Sequence, residues 1–255
     1  MNRDTIIYDL YLPKVTIVTS VLNAFDCFEL TIKSVISCNY KNLEFIVIDG
    51  NSKDETVSLI KKYESVIDYW ISEKDNGIYD AWNKGLKVAS GDWILFLGAG
   101  DLLRPNGIST LVEKLDGHSS LDIVSGKVML FIDDNIQRVV GKRYDWDTFK
   151  KFMCIAHPST LHSRDYFLRY GNFNDEYKIA GDYELLLRAR SGLRSDFVNE
   201  VIVEMRAGGV SSSYNVFKEN FRAQKLHRTY PMPVILVIVG FSLLLFYIRK
   251  LTKKL

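Results

Sequence analysis

Short apolar runs alternate with helical patterns along the first hundred residues. Runs that lack polar alternation predict strands buried on both faces, at Val15–Thr19, Phe45–Ile48 and Trp93–Leu97, and Trp70–Ser72 predicts a further short strand. Apolar residues at helical spacing predict helices over Cys27–Ser37, after the turn at Asn51–Asp54, and over Trp82–Ala89. This alternation predicts an α/β fold, with an open, mostly parallel, Rossmann-like sheet and helices on both of its faces.

The second half of the chain has a less regular pattern. Ile123–Phe131 predicts an edge strand, and short helices are predicted at Trp146–Phe152, Arg164–Tyr170 and Tyr183–Ala189. We therefore divide the chain into residues 1–110, residues 111–215 and a C-terminal segment of residues 216–255.

An uncharged apolar run dominates the C-terminal segment. From Pro231 the string PMPVILVIVGFSLLLFYI is about 18 residues long, near the lower limit of ~17–25 residues for a membrane-spanning helix. Basic residues flank it on both sides, so the charges fix no orientation. We expect a hydrophobic membrane helix at about residues 231–248 that either spans the membrane or lies in its cytoplasmic leaflet. A buried core helix is the alternative.

Composition narrows the class of protein. The 255 residues allow one catalytic domain with a small appendage. A net charge of only +2 does not indicate a nucleic-acid partner. The cysteines Cys27, Cys38 and Cys154 have no CxxC spacing, which disfavours a disulfide framework or a zinc site. The N-terminus lacks the apolar core of an export signal, so we expect the catalytic domain on the cytoplasmic side.

Polar residues terminate the predicted strands. Thr19, Asp49, Glu73 and Asp101 should gather at one edge of the sheet, where open α/β sheets bind ligands. Asp49 can accept hydrogen bonds from a nucleobase imide or a ribose hydroxyl. Asp101 follows the most apolar strand and can hold a divalent cation against phosphate oxygens.

Two weaker signals lie beside this edge. Thr19 and Asn23 precede a helix whose first amides can meet a base or a phosphate, although a capping loop without a ligand fits equally well. A later helix carries Asp80, Asn83 and Lys84, a density of polar groups that suits a sugar or a diphosphate. Asp80 and Lys84 are four residues apart, so a plain ion pair is the alternative.

The strings IVIDGNSKDET and DNGIYDAWNKGLKVASGDWILFLGAGD belong to a stretch from Pro13 to about Leu103 that resembles family 2 glycosyltransferases with the GT-A fold. The later string AGDYELL, from Ala180, resembles the acceptor-side carboxylate motif of that family. The resemblance implies a GT-A type fold in which residues 1–110 bind a nucleotide sugar and residues 111–215 bind the acceptor. It also implies an inverting transfer, with Asp49 on the base or ribose and Asp101 on the metal-bound diphosphate.

The resemblance assigns the general base to Asp182. Inversion needs a base on the face opposite the leaving diphosphate, to take the proton of the acceptor hydroxyl. A helix cap is the alternative role for Asp182, and Glu184 is the reserve candidate for the base. Arg206 starts a glycine-containing loop that resembles a family loop near the donor phosphates or the acceptor. His157 either contacts the acceptor or diphosphate or is a buried structural histidine.

One departure from the family concerns the cation. The family often has an Asp-x-Asp arrangement where this chain has Gly98-Ala99-Gly100-Asp101, which leaves a single acid. We expect Gly100 to lie against the substrate and Asp101 to hold Mn²⁺ or Mg²⁺, with phosphates and water as the other ligands.

These features favour transfer of one sugar, most simply from a UDP-sugar, to a polyprenyl-diphosphate-linked saccharide. Such an enzyme would meet its acceptor and the membrane lipids at the cytoplasmic face of the bacterial inner membrane. Assembly of a surface polysaccharide, such as the O-antigen of lipopolysaccharide, fits this setting. The alternative is a sugar-nucleotide-binding or scaffold protein with an impaired site. No GxGxxG follows the first strand, which disfavours a dinucleotide oxidoreductase.

Overall fold

The computed structural model describes residues 12–115, 120–132, 135–206 and 214–252. Its strands are β1 Val15–Val21, β2 Leu43–Asp49, β3 Tyr69–Ser72, β4 Trp93–Gly98, β5 Leu102–Leu103, β6 Ile123–Ile132, β7 Asn135–Val140, β8 Thr160–Ser163 and β9 Ser195–Arg206. Its helices are α1 Phe25–Ile36, α2 Thr56–Lys62, α3 Ile78–Val88, α4 Gly107–Val112, α5 Trp146–Phe149, α6 Arg164–Tyr170, α7 Gly181–Leu187, α8 Asn215–Leu226 and α9 Met232–Thr252.

The strands form a single sheet in the order β3-β2-β1-β4-β8-β6-β9-β5, with β7 paired to β6. The pairs that join β3, β2, β1 and β4 are all parallel, as predicted. Beyond β4 the sheet is mixed, because β8 runs antiparallel to β4 and to β6, and β5 runs antiparallel to β9. The prediction of a mostly parallel sheet therefore holds for the first half of the chain only.

The predicted edge strand at Ile123–Phe131 is wrong in its position. β6 covers these residues, but it lies inside the sheet between β8 and β9. The sequence pattern did not predict β8 or β9, and these two strands cover the two sides of β6. β9 mixes polar and apolar residues (SDFVNEVIVEMR), so it lacks the uniform apolar run that identified the earlier strands.

Helices cover both faces of the sheet, as predicted. Successive side chains of a strand point to opposite faces. Ile17 of β1 accordingly belongs to one apolar cluster with Phe28 of α1. Val18 belongs to a second cluster with Trp82 of α3. Gly85 brings α3 close to β1, since a side chain there would collide with Val18.

The predicted C-terminal helix is present as α9. It packs on α8, with the rings of Phe217 and Phe246 centred 5.4 Å apart. Its inner side is buried at Ile235, whereas Val237 is 71% exposed and Phe241 is 59% exposed. In the parts of the chain described here, no helix has both the length and the apolar character that a membrane crossing requires. Of the two predicted arrangements of this helix, the one that spans the membrane is therefore not supported.

Candidate functional site

Asp49 ends β2 and is fully buried. Its Oδ2 accepts hydrogen bonds from Asn51 N at 3.1 Å, Ser52 N at 3.0 Å and Ser72 Oγ at 2.5 Å. Its Oδ1 accepts a hydrogen bond from the Ser52 hydroxyl. The carboxylate thus holds the turn that leads from β2 to α2. Its predicted contact with a base or ribose stays a prediction.

Replacing Asp49 by alanine is expected to destabilise the fold by about 3 kcal/mol or more, because several buried donors lose their acceptor. Urea unfolding of Asp49→Ala and of the parent chain measures this difference. Asp26→Ala is the matched control, since Asp26 is an exposed carboxylate at the start of α1. A loss below about 1 kcal/mol in Asp49→Ala would show that the turn does not depend on this carboxylate.

Asn23 lies next to this turn and is exposed. It adopts a φ of 47°, in the left-handed region that asparagine tolerates. Its backbone N donates to Ser52 Oγ at 2.8 Å, and its Oδ1 accepts from Lys53 N at 2.7 Å. The structure therefore brings Asn23 and Asp49 together. Thr19 is fully buried within β1, with a hydroxyl that has no partner among the described residues, so it offers no surface to a ligand.

The loop between β3 and α3 is held by Lys84. Its Nζ lies 2.9 Å from Glu73 Oε1 and donates to the carbonyl of Lys74 at 2.8 Å. Its distance to Asp80 Oδ2 is 4.0 Å, so the predicted pair within α3 is the weaker contact. Asp80 Oδ2 accepts instead from Asn76 N at 2.8 Å. Both side chains therefore shape this loop, and their predicted contact with a sugar or diphosphate is untested.

Asn83 and His157 face the interior. Asn83 bonds both backbone groups of Phe173, at 2.9 and 3.0 Å. The ring of His157 stacks on Trp82 and Phe96, with centroid distances of 4.9 and 5.5 Å. Burial holds the pKa of His157 well below its usual range, so the ring is neutral. This geometry favours the structural role that the sequence left open for His157.

Asp101 lies in the turn after β4 and is only 9% exposed. Gly98 N donates to its Oδ2 at 3.0 Å, and no donor to its Oδ1 is found in the described part of the chain. Burial raises the pKa of Asp101 to about 7. Gly100 supports the turn with a φ of 93°, a conformation that glycine permits, and its N donates to Thr31 Oγ1 at 2.8 Å.

Arg206, at the end of β9, comes to the same region as Asp101. Burial raises the pKa of the Cys27 thiol, the positive charge of Arg206 lowers it, and the negative charge of Asp101 raises it. Cys27 Sγ in turn lies 3.3 Å from the position that a Cβ of Gly100 would occupy. Three predicted residues thus meet around the start of α1. The glycine loop that follows Arg206, at 207–211, lies outside the described residues.

Asp182 occupies the first turn of α7 and is half-buried. Its Oδ1 accepts from Tyr183 N at 2.8 Å and from the Tyr79 hydroxyl at 3.2 Å. Among the described residues no donor reaches its Oδ2. Burial raises the pKa of Asp182 to about 6, so the group is ionised at neutral pH and more basic than an ordinary aspartate. The N-cap of α7 is Ala180, so the alternative role of Asp182 as a cap is not observed.

Glu184, the reserve candidate for the general base, belongs to a buried network of ion pairs. Arg188 Nη2 lies 2.6 Å from its Oε2, and His227 Nε2 lies 2.7 Å from its Oε1. Burial pushes the pKa of Glu184 upward, but hydrogen bonds from His227 and Arg188 outweigh it and hold the pKa below its usual value. Both oxygens are occupied, which leaves Asp182 as the available carboxylate of α7.

Sequence analysis missed two residues that hold Asp182. Tyr79 is 3% exposed, and its hydroxyl donates to the carbonyl of Ile179 at 2.8 Å beside its contact with Asp182. Glu219 of α8 accepts through Oε2 from the amides of Ile179 and Ala180, both at 2.8 Å. Tyr79 lies directly before Asp80, in the polar stretch that predicts a sugar or diphosphate contact. Glu219 lies in no recognisable motif, so no local signal pointed to it.

The sequence of the chain matches a known family. The profile described as "Glycosyl transferase family 2" matches residues 16–180. An uncharacterized glycosyltransferase of Mycobacterium tuberculosis is 32% identical over 86% of this chain and 86% of its own length. A PGL/p-HBAD biosynthesis glycosyltransferase of Mycobacterium bovis is 28% identical over 80% of this chain and 78% of its own length.

Solved structures share the fold. The structure of S. aureus TarS 1-349 in complex with UDP-GlcNAc has a TM-score of 0.70 and 16% identity, over 90% of this chain and 71% of TarS 1-349. The mannosyltransferase PcManGT from Pyrobaculum calidifontis, in complex with GDP-Man and Mn²⁺, has a TM-score of 0.63 and 17% identity, over 92% of this chain and 75% of its own. The family profile and the relatives with 32% identity show the family as well as the fold. The chain belongs to glycosyl transferase family 2 and is a glycosyltransferase.

Proposed function

We propose that this glycosyltransferase moves one sugar, with inversion, from a UDP-sugar to a polyprenyl-diphosphate-linked saccharide. The observation that carries the proposal is the carboxylate of Asp182, whose Oδ2 has no donor in the described part of the chain and whose pKa is about 6. As the bond from the acceptor oxygen to the anomeric carbon forms, the bond from that carbon to the diphosphate breaks. The acceptor proton passes to Asp182.

The donor is assigned to the edge formed by β1, β2 and β4. We infer that the nucleoside lies against Asn23 and the turn held by Asp49, which hydrogen bonds through Ser52 join, and that the phosphates lie near Arg206. TarS 1-349, which shares the fold, was solved in complex with UDP-GlcNAc, and this supports a UDP-sugar as the donor class.

A divalent cation fits Asp101. No group of three or more metal-ligating side chains exists among the described residues. A single carboxylate suffices when phosphates and water complete the coordination, and Oδ1 of Asp101 is available for it. A cation there, Mn²⁺ or Mg²⁺, would neutralise charge on the departing diphosphate. PcManGT was solved in complex with Mn²⁺ as well as GDP-Man, which supports this assignment.

The membrane is assigned to the outer side of α9. A row of large apolar side chains there is exposed, including Leu236, Phe241 and Leu244 at 55% or more. Exposed apolar surface of this kind marks a membrane or protein contact. We infer that α9 lies in the cytoplasmic leaflet of the inner membrane, where the acceptor for a surface polysaccharide is found. A relative named for PGL/p-HBAD biosynthesis supports an acceptor in glycan biosynthesis.

The test is a screen of UDP-sugars with the full chain in detergent, Mn²⁺ and a synthetic lipid-diphosphate sugar. The expected product carries the new sugar with inverted anomeric configuration, as read by NMR. Retention of configuration would overturn the inverting mechanism. Donor binding without any transferred or hydrolysed sugar would favour the alternative of a binding or scaffold protein with an impaired site.

Removing the charge of Glu219 should change the titration of the base. The negative charge of Glu219 contributes to the raised pKa of Asp182, after burial. In Glu219→Gln the acid limb of the profile of kcat/KM against pH should therefore move to lower pH. We also expect kcat to fall about tenfold, because the loop before α7 loses a charged acceptor. Glu176→Gln, which removes a rim carboxylate paired with Arg222, is the control and should leave the limb in place. An unmoved limb in Glu219→Gln would contradict the assignment.

A further inference from the structure

A cavity of about 700 Å³ lies where α8 turns into α9. Basic and apolar side chains share its wall, which includes Lys150, Lys225, Arg228, Pro231, Met232 and Ile235. None of these residues takes part in the site described above. The cavity therefore suits a ligand that is anionic at one end and apolar at the other.

The basic side of the cavity carries uncompensated charge. Lys150 is paired with Asp147, at 2.6 Å. Among the described residues no carboxylate lies within ion-pair distance of Lys225 or Arg228. The two free cations match the two negative charges of a diphosphate that is esterified at both ends. A phosphodiester headgroup supplies only one such charge.

The turn between α8 and α9 contains a residue with an unusual backbone conformation. Arg228 has a φ of 48°, in the left-handed region where glycine is favoured after a helix. An arginine at such a position is strained relative to glycine. Thr229, which also lines the cavity, has a buried hydroxyl without a partner in the described part of the chain. The turn thus presents a cation where a plain turn would carry glycine.

The cavity adjoins both the apolar helix and the helix of the candidate base. Met232 and Ile235 belong to its apolar lining, and Met232, which is 40% exposed, lies at the start of the helix whose outer side carries the exposed apolar row. His227, directly before Arg228, bonds Glu184 of α7 at 2.7 Å. From Glu219, which holds the turn before Asp182, α8 rises about 9 Å to Lys225. α8 thus connects the cavity to the turn before Asp182.

We propose that this cavity binds the diphosphate of the lipid-linked acceptor, with the lipid chain along α9 and the sugar directed to Asp182. The proposal rests on the proposed function for its acceptor class. Lys225 and Arg228 are binding residues for the diphosphate. The α8–α9 turn is thus a second substrate site, separate from the edge that receives the nucleotide.

The test uses calorimetric titration of the full chain with farnesyl diphosphate. The double variant Lys225→Gln/Arg228→Gly removes both free cations, and glycine suits the left-handed backbone, so we expect a folded protein. Lys61→Gln/Lys87→Gln removes two exposed cations of α2 and α3 as the control. We expect the first double variant to lose tenfold or more in affinity for farnesyl diphosphate and the second to bind like the parent. Both should bind UDP unchanged.

Three further ligands separate the sources of the signal. Farnesol tests the lipid chain alone, pyrophosphate tests the anion alone, and phosphatidylglycerol vesicles test a membrane headgroup. Equal affinity of the parent and the Lys225→Gln/Arg228→Gly variant for farnesyl diphosphate would overturn the proposal. Vesicle binding that depends on the same two residues as strongly as farnesyl diphosphate does would overturn it in favour of a headgroup site. Since these are binding measurements, a failure of sugar transfer would count against the proposed function and leave this result intact.

Discussion

Asp182→Asn is expected to lower kcat for sugar transfer by about 10²–10⁴-fold, the usual contribution of a general base. Asparagine keeps the shape of the side chain and can still accept the hydrogen bond from Tyr183 N, but it cannot take a proton. The KM for the UDP-sugar should stay near the parent value, because the substitution removes no proposed contact with that substrate. Initial rates of UDP release with saturating acceptor measure both constants.

The pKa of Asp182 also predicts how the rate of transfer changes with pH. The base must be ionised to act, and the pKa of Asp182 is about 6. With saturating Mn²⁺ at every pH, kcat/KM of the parent chain should therefore be level above pH 7 and fall about tenfold per unit well below pH 6. This limb should be absent from the residual activity of Asp182→Asn.

The variant Glu184→Gln distinguishes the role of Glu184 from that of Asp182, the other carboxylate of α7. It weakens the ion network with Arg188 and His227, so we expect a lower free energy of unfolding with the acid limb unchanged. If Asp182→Asn kept full activity, or if Glu184→Gln alone removed the limb, the assignment of the base would fail.

The first half of the fold could be predicted because each of its elements has a pattern that is visible in a short stretch of sequence. β1, β2 and β4 each contain a short apolar or β-branched run, and the parallel pairing of such strands follows from the helices between them. The positions of Asp49 and Asp101 at strand ends then follow from the topology. The second half is different, since β9 pairs with β6 and β5 across long separations and shows no uniform apolar run.

The candidate site could be predicted in its carboxylates but not in their surroundings. The resemblance to the family made Asp182 the candidate base, and nothing in the sequence showed that a glutamate of α8 would hold the turn before it. Likewise the sequence could not tell that Thr19 and His157 would be buried, because polar residues at strand ends and before helices occur both in sites and in cores. Contacts between distant segments decide these cases.

Asp101→Asn is expected to weaken Mn²⁺ binding in the presence of UDP by about 10²-fold and to lower transfer by a similar factor, since the single carboxylate of the predicted cation site is lost. Electron paramagnetic resonance of free Mn²⁺ measures binding without relying on activity. Asp26→Asn is the control, because it removes an exposed carboxylate near the same end of α1 and leaves Asp101 intact.

Protons and the cation should compete for Asp101. Burial raises the pKa of this carboxyl to about 7, so part of it is protonated at neutral pH when no cation is bound. Mn²⁺ affinity in the parent chain should therefore fall about tenfold per unit as the pH drops below 7, and it should level off above that value. Asp101→Asn should lack this dependence. Affinity that is equal at pH 6 and pH 8 in the parent chain, or Mn²⁺ binding unchanged in Asp101→Asn, would place the cation elsewhere and leave Asp101 as a structural residue of the turn after β4.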